Sequence, residues 1–112
     1  MKISVERVGQ TLVVRCQGEL DLHTAIQFRT EVERELERHS SVTNLVLNLD
    51  GVSFVDSSGL GVILGRYKHV RQRGGKMVLT RLQPQVHRLF ELAGLLKIMS
   101  VCATETEALR LA

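Results

Sequence analysis

The chain has 112 residues and a mass of 12.6 kDa, room for one ordinary domain and too little for two. With 44% hydrophobic residues, a single proline and no low-complexity tract, it carries enough apolar surface to offset chain entropy, which excludes a disordered segment. A net charge of only +3 and an aromatic set limited to Phe28, Phe54, Phe90 and Tyr67 argue against a nucleic-acid binder, which wants a stronger basic bias and more stacking surface.

Ile3, Val5 and Arg7 alternate with their neighbours, Gly9-Gln10 supplies a turn, and Thr11–Cys16 is a second apolar run. This predicts a β-hairpin. Gly18–Asp21 breaks the pattern and reads as a loop, with Asp21 capping a helix that starts near Leu22. Ala25, Phe28, Val32 and Leu36 then recur at spacings of 3, 4 and 4, one face of a helix ending near His39. The charges between Arg29 and Arg38 form its solvated face.

Leu45–Leu49 is a nearly continuous apolar run, as expected for a strand covered on both sides. Beyond Asp50-Gly51 come Val52–Val55 and then Asp56-Ser57-Ser58-Gly59, a dense helix-start signal. Leu60, Ile63, Leu64, Tyr67 and Val70 make the apolar stripe of this second helix, which Gly74-Gly75 ends. The basic residues from Lys68 to Lys76 complement its dipole there and need no further function. Met77–Thr80 is a strand, Pro84 opens a third helix that Gly94 stops, and Ile98–Val101 is a short strand. Thr104 with Glu107 forms a capping box for a last helix. The order is ββαβαβαβα: a single α/β domain over residues 1–112, its mixed β-sheet combining an N-terminal hairpin with parallel strands.

Cys16 and Cys102 have no metal-ligand spacing; a disulfide stays open, and two free buried thiols are the simpler expectation. Met1–Arg7 contains no apolar signal core, and no apolar run reaches the ~18 residues of a membrane span. A cytoplasmic protein without a membrane partner is expected.

The topology sends the Gly18–Asp21 and Asp56–Gly59 segments to the same carboxyl edge of the sheet. Asp21, Ser57 and Ser58 are therefore expected to be neighbours, on the default functional face. In the second helix, Gly61, Val62, Gly65 and His69 lie opposite the apolar stripe, at about 100° per residue. Close helix packing would explain such a smooth face, and so would the approach of another protein's backbone; its outward direction favours the second. Ser57 and Ser58 could cap the helix, which accounts for one serine and not for two. A phosphoryl group here would meet backbone donors and a favourable dipole.

Enzyme readings fare poorly. Gly59-x-Gly61-x-x-x-Gly65 places its third glycine one position too late for a dinucleotide fingerprint, and no acidic ribose ligand follows. There is no Walker lysine. Val55–Gly59 is no nucleophile elbow, and His23, His39, His69 and His87 have no triad context. A small nucleotide-binding or hydrolase-like protein using the Asp56–Gly65 loop is kept as the alternative.

Gly18-Glu19-Leu20-Asp21, Leu47-Asn48-Leu49 and the run from Phe54 to Lys68 together resemble a STAS domain. Within that group the chain is similar to the bacterial anti-sigma factor antagonists, above all the sporulation type that counters the anti-sigma-F factor. The likeness runs nearly end to end. It implies partner switching without catalysis or a cofactor in this chain. The unmodified protein binds an anti-sigma factor that is also a serine kinase, and the sigma factor is released. Phosphorylation by that kinase ends the binding, and a separate serine phosphatase restores it. The family's acceptor serine maps onto Ser57. Its partner surface maps onto Asp21, Asp56, Ser58, Gly59, Gly61, Val62 and Gly65. The general stress-response branch is the alternative within the family.

Overall fold

Two periodicities build the fold, alternation in the strands and a three-to-four spacing in the helices. In the computed structural model, which describes residues 1–112, they give β1 (Lys2–Val8), β2 (Thr11–Leu20), α1 (Leu22–Arg38), β3 (Asn44–Val55) and α2 (Ser57–Gln72). β4 (Met77–Thr80), α3 (Pro84–Leu92), β5 (Ser100–Cys102) and α4 (Glu105–Leu111) follow, with a single 3-10 turn at Leu95–Lys97. This is the expected order. The sheet runs β1-β2-β3-β4-β5, with β1 antiparallel to β2 and every later pair parallel.

Each right-handed crossover moves one strand further in the same direction, so α1, α2 and α3 must cover the same face. Phe28, Val32 and Leu36 of α1, Ile63 and Val70 of α2, and Val86 and Phe90 of α3 share one core there with Leu12, Val14, Leu45, Leu47 and Leu79. The alternate residues Val13, Val46 and Val78 point to the other face and meet Ala108 of α4. Central β3 is thereby buried on both sides, as its apolar run predicts. A bidentate pair from Arg15 to Glu105, at 2.8 Å for each bond, and a 2.7 Å bond from Asn48 tie α4 to that second face.

Several local expectations change. Gly18–Leu20 is strand rather than loop, because β2 continues to pair with β3 out to Leu20. The strand at Leu45–Leu49 runs on through Asp50-Gly51 to Val55 as one element. Ile98 lies outside the last strand, which begins at Ser100, because the 3-10 turn ends on it. Thr104 accepts from the Glu107 N–H at 3.1 Å, but its capping box is one-sided. Cys16 and Cys102 are free thiols, yet only Cys16 is buried; burial pushes it up to about 12, which leaves it protonated and inert. No helix is long and apolar enough to cross a membrane.

Arg73 also does more than complement a dipole. It donates to the carbonyls of Leu36, Ser40 and Val42, satisfying the open end of α1 and the loop after it. Nearby, a Cβ on Gly75 would stand 1.6 Å from the Thr43 carbonyl oxygen, whereas Gly74 has open space and a left-handed φ of 80°. The two glycines answer different constraints. Gly74→Ala should cost about 1–2 kcal/mol for its backbone alone. Gly75→Ala should exceed the ~1–3 kcal/mol of ordinary overpacking, since backbone must move. Urea denaturation midpoints of the two variants check that ranking.

Candidate functional site

β4 pairs with β3 only from Leu45 to Asn48 and β1 with β2 only as far as Gln17, so the carboxyl ends of β2 and β3, from Gly18 and Val52 on, overrun the sheet as a two-stranded ribbon. Two register shifts, opposite Arg15/Gln17 and Gly18/Glu19, each place an extra residue in β3 and bend the ribbon. Pairing ends at Leu20 opposite Val55, and the Asp56 N–H donates to the Leu20 carbonyl at 3.2 Å. The next residue on each chain starts a helix. Asp21 and Asp56 therefore follow adjacent strand ends as the N-caps of α1 and α2, and Ser57 and Ser58 come directly after Asp56.

The caps are made differently. Asp21 Oδ1 accepts from the N–H groups of His23 at 3.0 Å and Thr24 at 3.1 Å. Thr24 Oγ1 accepts in return from the Asp21 N–H at 2.9 Å, completing a capping box. The Thr24 N–H is the main cause that holds the Asp21 carboxyl below its usual range. At α2, Asp56 Oδ1 accepts from the Gly59 N–H at 3.0 Å. Asp56, not a serine, is the cap. Ser57 and Ser58 follow it as the first two helical residues, Ser57 exposed and Ser58 half-buried, and neither hydroxyl makes a hydrogen bond within the chain. The structural task that could have occupied a serine is done by the aspartate.

The glycines separate in the same way. A Cβ on buried Gly59 would come 2.4 Å from the Leu20 carbonyl oxygen, so this residue permits the close approach of α2 to the ribbon. Its N–H is already taken by the Asp56 carboxylate. Around Gly61 and Gly65 a Cβ would meet nothing within 4 Å. These two, with half-buried Val62, form one wall of a groove of about 410 Å³ whose other wall is α1.

The α1 wall is a feature the sequence reading missed. Leu22, Ile26, Arg29 and Glu33 recur at spacings of 4, 3 and 4, a second stripe beside the core stripe. Leu22 and Ile26 are 65% and 71% exposed, and Phe54 at the ribbon's end is 50% exposed. Arg66 was missed as well. It lies buried on α2 and forms an ion pair with Glu33, so that it bridges the two helices. Arg66 is the chief cause that keeps the Glu33 carboxyl below its ordinary range, helped by Arg29 and His69.

The STAS domain family model matches residues 2–108. An anti-sigma F factor antagonist of Paenibacillus polymyxa is 43% identical over 109 residues, which span 97% of this chain and 92% of that one. The chain belongs to the STAS-domain anti-sigma factor antagonists. An anti-sigma-B factor antagonist of Listeria monocytogenes is 37% identical over 112 residues, covering 96% of this chain and 95% of its own. Among solved structures, the Bacillus cell fate determinant SpoIIAA in its phosphorylated form superposes with a TM-score of 0.77 at 33% identity. It covers 99% of this chain and 100% of its own. Members of this family are regulatory proteins of phosphorylation-governed partner-switching systems rather than enzymes.

Two outcomes follow from the packing. Gly59→Ala should destabilise the domain by at least the ~1–3 kcal/mol of ordinary overpacking, since the Leu20 carbonyl or the helix start must move. Gly61→Ala should be neutral or stabilise it by up to ~1 kcal/mol, since a helix-interior glycine is replaced in open space. Thermal denaturation distinguishes the pair. Glu33→Gln should cost stability at neutral pH. Because the folded carboxyl titrates below the unfolded one, its contribution is present above the usual ~4.3. The difference from wild type should therefore shrink as acid takes the pH down through the carboxylate range, as denaturation at stepped pH would show.

Proposed function

We propose that the chain is the switched member of a partner-switching pair, with Ser57 as its phosphoacceptor. Unphosphorylated, it holds an anti-sigma factor that is also a serine kinase, and the sigma factor goes free. Phosphorylation of Ser57 ends that complex, and a serine phosphatase restores it. The observation that carries this reading is the division of labour at α2: Asp56 caps the helix, so the exposed Ser57 hydroxyl has no structural bond to keep. The partner surface would spread from Asp21, Asp56 and Ser58 along the open glycine face to Gly61, Val62 and Gly65, while Gly59 supports it from inside. The sigma-F relative at 43% identity, against 37% for the Listeria sigma-B relative, favours a role in sporulation-specific transcription.

A phosphate on Ser57 brings about −1.5 to −2 charge to an edge that already holds two carboxylates. At a helix N-terminus that charge is favourable to the helix by about 0.3–1 kcal/mol, so the domain keeps its fold. Contact with a partner is another matter, because charge and bulk now stand where a close surface must dock. The effect is local.

Capture from native cells with wild type and Ser57→Asp as bait identifies the kinase, which is then purified and incubated with the chain and ATP. Phosphopeptide mapping should place the phosphate on Ser57, and Ser57→Asp should weaken binding by at least about tenfold with an unchanged circular dichroism spectrum. Phosphate on Ser58 would falsify the assignment. Ser57→Ala should bind and never release.

A further inference from the structure

The groove between α1 and α2 carries an uneven charge balance. One oxygen of Glu33 faces two guanidinium groups and an imidazole: Arg66, Arg29 Nε at 3.7 Å and His69 Nδ1 at 4.0 Å. Arg66 is fixed; it is only 6% exposed, forms part of the groove wall, and its Nε has no acceptor. Arg29 is held loosely, beyond hydrogen-bond distance and with 63% of its side chain in solvent. Two guanidinium groups thus share a single carboxylate, and the exposed one is free to take another.

Beside this charged end the groove is apolar and open. Ile26 projects into solvent opposite Gly61 and Gly65, and neither glycine offers a side chain to cover it. Gly61 is about one helical turn from Ser57, so the groove continues directly from the proposed switch.

We propose that this groove receives an apolar side chain of the kinase partner flanked by a carboxylate, the apolar group packing between Ile26 and the glycines and the carboxylate pairing with Arg29. The proposal rests on the partner-switching reading and extends the partner surface onto α1. The incoming acid balances the second guanidinium, and the missing Cβ atoms leave the depth that the apolar group fills. It also explains an otherwise unsheltered isoleucine. A partner that lacks the acid would meet an unbalanced arginine, so the groove selects among related anti-sigma factors as well as binding one.

The test uses the full chain and the purified kinase captured by wild type, with affinity measured by calorimetry at low and high salt. Ile26→Ser and Arg29→Glu should each weaken binding by about tenfold or more, and Arg29→Gln should weaken it less and flatten its salt dependence. Arg88→Glu, an exposed reversal on α3, should leave affinity unchanged. Both side chains at issue are exposed, so thermal midpoints report whether any loss comes from the fold. If Ile26→Ser and Arg29→Glu stay within about twofold of wild type while Ser57→Asp abolishes binding, the groove proposal is overturned and the switch stands. Loss with Ile26→Ser and none with either Arg29 variant overturns the carboxylate. Failure of wild type to bind any serine kinase overturns the partner-switching reading itself.

Discussion

The backbone carbonyl of Leu20 is the point on which this domain's functional edge depends. It accepts the Asp56 N–H at 3.2 Å, and it leaves no room for a Cβ on Gly59. The last rung of the β2–β3 ribbon and the first turn of α2 are thus pressed against the same oxygen. A side chain at Gly59 would lift the helix start away and carry Ser57 with it. One step past the rung, Asp21 begins α1, so the same carbonyl also sets how far apart the two helix starts can be. The hydrophobic core backs the same place, since Leu20, Val52 and Val55 of the ribbon are all buried in it.

Two helix N-termini beside each other bring two partial positive charges of about +0.5 together, and the two capping carboxylates answer them with a full negative charge each. The resting edge is mildly negative. A phosphate deepens it to roughly −2.5 to −3, and Arg66, Arg73 and Arg15 are already engaged elsewhere. A modest covalent change therefore dominates the local field without touching the core. A small domain can act as a switch in this way because the chemistry is done by its partner and its own part is to present a charge at a fixed place.

What the sequence disclosed follows from how locally each feature is encoded. Helix stripes, the hairpin turn, Pro84 and the aspartates before α1 and α2 are signals within a few residues, and the parallel strand pairs follow from the helical crossovers. The ribbon was hidden because Gly18 and Asp50-Gly51 look like breaks. Only pairing between distant segments turns them into bulged strand, with Gly51 small because Gln17 and the Cys16 carbonyl crowd it. The serines were read as possible caps because Asp56 can do the same job, and one 3.0 Å bond decides between them. Arg66 was hidden for a different reason: an arginine on a helix looks solvated until its acidic partner on another helix is known. The Leu22–Glu33 stripe was legible in spacing, yet its charged half made it look like part of the solvated face.

The helix that carries the serine is poorly made as a helix. Gly59, Gly61 and Gly65 each give up about 0.8–1 kcal/mol against alanine, so intrinsic propensity argues against α2 forming alone. Burial of Ile63 and Val70 and the Arg66–Glu33 bridge hold it in place from outside. Only Gly59 returns something to the fold, through the close approach to Leu20. Gly61 and Gly65 weaken the helix and gain no contact within the chain. Their small size makes physical sense at a surface that another molecule covers. On a helix this dependent on α1, whatever fills the groove also bears on the element that positions Ser57.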